Sequence, residues 1–147
     1  MQNIGNYYAA SIRAQGVFYG SAGDAQISHV DVRDIAAVAL KALTESGHTG
    51  KAYTLSGPEP LTYDQIAAKL AKATGREIQY VNLPDDQLKQ GMTAAGIPAY
   101  YADLLLDLNR HYREGRAAKV TSDVNRVAGR DPISFDRYAR DYAKRFV

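Results

Sequence analysis

The sequence has no cysteine, no tryptophan and only three phenylalanines in 147 residues. Without cysteine, disulfides, thiolate metal sites, iron–sulfur clusters and cysteine nucleophiles are all excluded. The longest unbroken apolar stretch, Ile35 to Leu40, is six residues. A membrane helix needs roughly 20, so no membrane span is expected. No basic segment followed by an apolar core opens the chain, so no signal peptide is expected and the default compartment is the cytoplasm. Several catalytic signatures are missing too: no Gly-x-x-x-x-Gly-Lys loop, no Gly-x-Ser-x-Gly elbow and no His-Glu-x-x-His helix. No Tyr-x-x-x-Lys pair occurs; the nearest spacing is Tyr112 to Arg116. A guanidinium does not give up its proton, so it cannot replace the lysine in a proton relay.

What is present is ordinary for one globular domain: 46% hydrophobic and 23% charged residues. A chain of this length buries roughly 68–70% of its unfolded surface, enough for a real core. The net charge of +2 is unevenly spread, −3 over residues 1–109 and +5 over residues 110–147. A basic last third could attract an anionic partner. Its arginines, however, are interrupted by Asp and Glu, and no nucleic-acid motif accompanies them. A solvated set of helix faces is the simpler reading, and no nucleic-acid partner is expected.

Glycine and proline punctuation divides the chain into short alternating units. Ile4, Tyr7, Tyr8 and Ile12 stand near helical spacing in residues 1–14. Val17–Tyr19 reads as a short strand between turn glycines, Ile27–Val32 as an alternating strand and Tyr53–Leu55 as a third. Asp34 is expected to cap a helix to about Glu45 with Ile35, Val38, Ala39, Ala42 and Leu43 on its buried stripe. Thr62 and Gln65 have the spacing of a capping box, with Leu61 and Ile66 as a hydrophobic staple and Gly75 as the left-handed stop. Ile78–Leu83 follows as a strand. Beyond Pro84 the pattern is helical, with starts at Asp85 or Asp86, Pro98, Thr121 or Ser122, and Ser134. Phe135, Tyr138, Ala139, Tyr142 and Phe146 share the last stripe. The expected class is α/β: a small, partly parallel sheet of three or four short strands in residues 1–83, then a helical lobe in residues 84–147, together one domain.

Few residues suggest chemistry. His29 and Asp31 would share one strand face, a pair able to relay protons or ligate a metal, but no third ligand can be nominated. A cleft-edge histidine beside a strand-ending carboxylate is the simpler reading. Gly16-x-x-x-Gly20-x-x-Gly23 imitates a dinucleotide loop, yet its strand lies inside the motif and another strand follows, where a helix N-terminus is required. Two plain turns are expected. The 11 tyrosines suit cleft walls and core edges equally, because a phenol has an apolar body and a polar tip.

Several stretches resemble one family: Met1-Gln2-Asn3, Gly23-Asp24-Ala25-Gln26-Ile27-Ser28, Val30-Asp31-Val32-Arg33-Asp34-Ile35-Ala36, Gly47 through Pro58, Leu61-Thr62-Tyr63, and a tail from Thr121 to Phe135. In order and spacing they are similar to the C-terminal half of NmrA-like proteins. These are atypical short-chain dehydrogenase/reductase relatives that include NAD(P)H-dependent quinone oxidoreductases and nucleotide-sensing regulators. The resemblance implies an incomplete Rossmann-type protein that lacks the N-terminal nucleotide-binding half. It places Asn3 and Tyr7 near the nicotinamide end and the substrate cleft, and Tyr101 on the helix that covers the substrate. His29 joins them as the cleft-edge candidate; no residue is assigned a catalytic or metal-binding role. The implied function is substrate binding for an NAD(P)H-dependent, quinone-reductase-like oxidoreductase, with NADP or NAD held by a full-length relative and no cofactor held by this chain alone. The alternative is a non-catalytic nucleotide-sensing or protein-interaction module. Without the nucleotide sheet, Ile4, Ile12, Val17, Phe18, Val30 and Ile35 are expected to lie uncovered, which favours a homodimer or association with a nucleotide-binding half.

Overall fold

The computed structural model describes all 147 residues, Met1–Val147. Helix α1 (Gln2–Gln15) turns Ile4, Ala9 and Ile12 inward and ends at Gly16, which holds a left-handed φ of 71°. A Cβ at Gly16 would also lie 2.9 Å from the Glu77 carbonyl oxygen, so glycine is required there for space as well as for conformation. That close approach lets β1 (Val17–Gly20) lie parallel to β2 (Gln79–Asn82), with Phe18 opposite Tyr80. Between the two strands run α2 (Val32–Thr44) and α3 (Tyr63–Thr74). After β2 come α4 (Asp85–Ala94), α5 (Ala99–Arg113), α6 (Asp123–Ala128), α7 (Phe135–Asp141) and a closing 3-10 turn, Ala143–Arg145. No helix is long and apolar enough to cross a membrane.

The class is α/β with a small parallel sheet and many helices, but the sheet has two strands, not three or four. Residues 27–32 do not form a strand. Ile27 makes one antiparallel bridge to Leu61, and Ser28 N–H donates to the Ala117 carbonyl instead of to a neighbouring strand. Residues 53–55 are likewise held by side chains: Thr54 N–H donates to Asp123 Oδ2 at 2.8 Å, and the Thr121 hydroxyl donates to the Thr54 carbonyl. Side-chain partners satisfy the backbone groups that a ladder would otherwise serve.

The core draws on the whole length of the chain. Ile12, Phe18, Ile66, Leu70, Phe135, Tyr138 and Phe146 are fully buried together. Helix α7 packs on α3, so the stripe on the last helix closes over the first elements. The capping box forms as expected: Thr62 Oγ1 accepts from Gln65 N–H at 3.2 Å, and Gln65 Oε1 accepts from Thr62 N–H at 2.9 Å.

Helix α2 departs from expectation twice. Its cap is Asp31, not Asp34; Asp31 Oδ1 accepts from Arg33 N–H at 2.9 Å. Asp34 is instead buried inside the first turn, where Oδ2 accepts from Ile133 N–H at 2.8 Å and Oδ1 lies 2.6 Å from the Arg130 guanidinium. Of the expected buried stripe only Val38 is buried, while Leu43 is 85% exposed. Of the side chains expected to lie uncovered, Ile4, Ile12 and Phe18 are buried and Ile35 is exposed. Val17 and Val30 are half-buried.

Candidate functional site

A cavity of about 520 Å³ opens between α1, the ends of the two strands and the α4–α5 hairpin. Each helix supplies a pair one turn apart, because residues i and i+4 share a face. Tyr7 and Ser11 come from α1, Leu88 and Met92 from α4, and Leu105 and Asn109 from α5. Tyr8, Tyr19, Gly20 and Leu83 line the strand side, and Gly91, Ala95 and Ile97 the hairpin side. No charged side chain faces the space.

The few polar groups are largely engaged with their own backbone. Ser11 Oγ donates to the Tyr8 carbonyl at 3.0 Å, and Asn109 Nδ2 to the Leu105 carbonyl at 2.9 Å. That leaves the Asn109 amide oxygen and the Tyr7 hydroxyl for a ligand. Tyr7 is 66% exposed at the mouth.

Behind Tyr8 stands an aromatic wall. Tyr8 meets Phe18 at a centroid distance of 5.1 Å, Phe18 meets Tyr80 at 5.4 Å, and Tyr80 meets Tyr63 at 5.1 Å. Burial raises the Tyr8 phenol, and a hydrogen bond with Tyr63 partly offsets it. Burial also pushes Tyr63 well up, and Tyr80 to about 12 against the Ala22 N–H that its oxygen accepts. These phenols therefore stay protonated at neutral pH and offer ring faces and O–H groups, not charge.

The hairpin is fixed at its base. Arg113, the last residue of α5, donates to both oxygens of Asp85, the first residue of α4, at 3.1 and 2.9 Å. It also donates to the Ser21 carbonyl beyond β1. The guanidinium holds the Asp85 carboxyl below its usual range. One fork thus ties both hairpin helices to the strand end beneath the cavity.

Of the residues nominated from sequence, the structure places Tyr7 in the cavity wall. Asn3 is exposed on α1, one turn before Tyr7. Tyr101 is 58% exposed, stacked edge-on against Tyr100, one turn before Leu105. His29 faces Tyr63 across 6.0 Å, outside the cavity lining. Its Nε2 is cut off from solvent without a partner. Burial, aided by the chain's amino terminus, lowers its pKa to about 3, so the ring is neutral. His29 and Asp31 share no strand; Asp31 is occupied with Arg33. Sequence reasoning missed Tyr8, Ser11, Leu88, Met92, Leu105 and Asn109. Their i,i+4 pairing was the available signal, but core stripes carry the same pairing.

Nothing in the chain groups three His, Asp or Glu side chains for a metal ion. A dinucleotide's diphosphate would need glycine-rich backbone at the start of a helix. Gly16 ends α1, Gly20 ends β1, and α2 begins only at Val32, behind the Asp31 carboxylate. Helices α2, α3, α4, α6 and α7 carry Asp34, Asp64, Asp85, Asp123 and Asp136 in their first turns, which repels phosphate. At the starts of these five helices the residues present do not fit the diphosphate end of such a cofactor.

No family model matches the chain. It is 40% identical to the NAD(P)H azoreductase of Xenophilus azovorans over 146 residues, 99% of this chain and 51% of that protein. It is 38% identical to quinone oxidoreductase 2 of Escherichia coli over 126 residues, 84% of this chain and 44% of that protein. The solved structure of the E. coli NADPH-dependent quinone oxidoreductase superposes with a TM-score of 0.86 at 28% identity, covering 95% of this chain and 50% of its own. Over most of its own length the chain is thus similar to about half of each of these reductases. It spans about half the length of these relatives, consistent with the C-terminal half of an NmrA-like protein. A structure of the E. coli enzyme holds NADPH, which is a property of that whole protein.

Proposed function

We propose that the chain is the acceptor-binding half of an NAD(P)H-dependent oxidoreductase whose substrate is a flat, uncharged, quinone-like ring. The uncharged, aromatic-walled cavity between α1 and the α4–α5 hairpin carries this reading. Apolar walls with a few placed polar groups are the usual form of a small-molecule site. A two-ring quinone would lie between the Tyr7 and Tyr8 side and the Leu88 and Met92 side. The Tyr7 hydroxyl is available to donate to a quinone carbonyl. The name of the quinone oxidoreductase relative points to the same kind of acceptor, and that of the azoreductase to an azo compound.

The second part of the proposal is that this chain binds no dinucleotide by itself and is inactive alone. In cofactor-dependent reductases the nicotinamide supplies the hydride, while the protein binds and orients the acceptor. Here α1, α4 and α5 supply the binding and the orientation. Calorimetry with menadione, a naphthoquinone, tests the first part. One site is expected on the wild-type chain, weakened at least tenfold by Met92→Arg, and no heat is expected with NADPH. Menadione binding unaffected by Met92→Arg would place the acceptor elsewhere. Micromolar NADPH binding would overturn the second part.

A further inference from the structure

Helix α2 carries a broad apolar face that its own fold leaves uncovered. At about 100° per residue, Val32, Ile35, Ala36, Ala39, Leu40 and Leu43 fall within an arc of about 140° along about 17 Å of helix. All six are exposed, and no charged residue stands among them. The opposite side is the one that docks: Val38 and Asp34 are buried, and α2 packs on α6. A contiguous apolar face left on a surface marks a place where a partner sits.

The other exposed apolar stripe, Tyr100, Leu104 and Leu108 on α5, differs in kind. Exposed Asp103 and Asp107 stand beside it, paired with Lys89 and Arg110. Charges beside a stripe mark a solvated face; on α2 the one charge at the edge of the arc, Arg33, is drawn off it to Asp31 and Asp141.

Two more observations identify what covers α2. The sheet is a parallel pair in which each strand keeps one edge without a partner strand, whereas parallel strands normally occur in larger sheets with both faces covered. The fold is also that of a protein twice as long, since the E. coli quinone oxidoreductase matches it with 50% of its own chain. We propose that the outer face of α2 is the docking surface for the nucleotide-binding half of a reductase of this kind. This rests on the acceptor-half reading, and it adds the place where the two halves meet. Ala36 and Ala39 at the centre of the arc let a facing element approach closely, and Ile35 and Leu43 flank them as anchors.

The test is co-expression of the full 147-residue chain with the half of the Xenophilus azovorans azoreductase that it does not match. Purification through a tag on this chain should recover the two at 1:1. Ile35→Glu and Leu43→Glu should each cut recovery at least tenfold, while Leu104→Glu on α5 should leave it unchanged. Leu43 is 85% exposed, so its variant should keep the wild-type melting temperature and menadione heat. A pair that fails to co-purify overturns the proposal, as does one that both α2 variants leave intact. Sedimentation showing a homodimer of the chain that Leu43→Glu dissociates also overturns it, by naming a second copy as the occupant. Menadione binding is read separately, so failure of the docking surface and failure of the acceptor site are distinguishable.

Discussion

Helices α2 and α3 lie between the same two strands and differ by one residue in length, 13 against 12. Each begins at a residue in extended conformation whose side-chain oxygen accepts a backbone N–H, Asp31 for α2 and Thr62 for α3. Beyond that first turn they part. Helix α3 turns Ile66, Ala67 and Leu70 inward and leaves Asp64, Gln65 and Lys72 in water. Helix α2 buries Asp34 and Val38 and leaves Ile35, Leu40 and Leu43 in water. Local start signals specify that a helix forms; they do not say how many of its faces will be covered.

The largest effect should come from truncating one leucine on each helix. Leu70→Ala on α3 should cost about 2–5 kcal/mol, because it opens a cavity in the core. Leu43→Ala on α2 should stay within about 0.5 kcal/mol. Chemical denaturation of both variants checks the contrast, and equal losses would mean that α2's outer face is covered after all.

Acid should act through the segment that leads into α2. His29 precedes α2 and packs on Tyr63, the first residue of α3. Its pKa falls from 6.5 to about 3 on folding, so between those values the unfolded chain binds the extra proton. The stability contributed by the neutral ring is fully present above pH 6.5 and is lost as pH falls toward 3. Melting temperatures should therefore drop over that interval with a slope approaching one proton, and His29→Gln should flatten it. Asp31 adds a step lower down. Burial raises its pKa, but hydrogen bonds from Arg33 outweigh this and hold it below 3.8. Its contribution is therefore present above that value and disappears as pH falls through the depressed pKa.

Asp34→Ala should cost about 1–3 kcal/mol, chiefly by orphaning the buried Ile133 N–H. Thr62→Ala should cost less, about 1 kcal/mol for the lost cap. Thermal melts rank the two, and a larger loss at Thr62 would reverse the assignment of Asp34 as the buried anchor.

The same contrast explains what was legible in the sequence. The Thr62–Gln65 box and the Gly75 stop were readable because their geometry closes within four residues. Residues 27–32 alternate like a strand, yet their partners are Leu61 and Ala117, which no local pattern announces. Asp31 and Asp34 are three residues apart and both suited to capping; which one caps depended on Arg130 and Ile133, almost a hundred residues away. Tyr7 came from family resemblance. The rest of the cavity was hidden because four distant segments contribute to it, each with a helical spacing that a core stripe would share.

The claim on which the account turns is that the cavity between α1 and the α4–α5 hairpin receives the acceptor. Titrating isotope-labelled chain with menadione and recording amide NMR shifts tests it residue by residue. Saturable shifts should cluster at Gly20, Gly91, Ala95, Ile97 and Asn109, with Asn3 and the outer face of α2 still. Shifts centred on α2, or none at any of the five cavity amides, would contradict it.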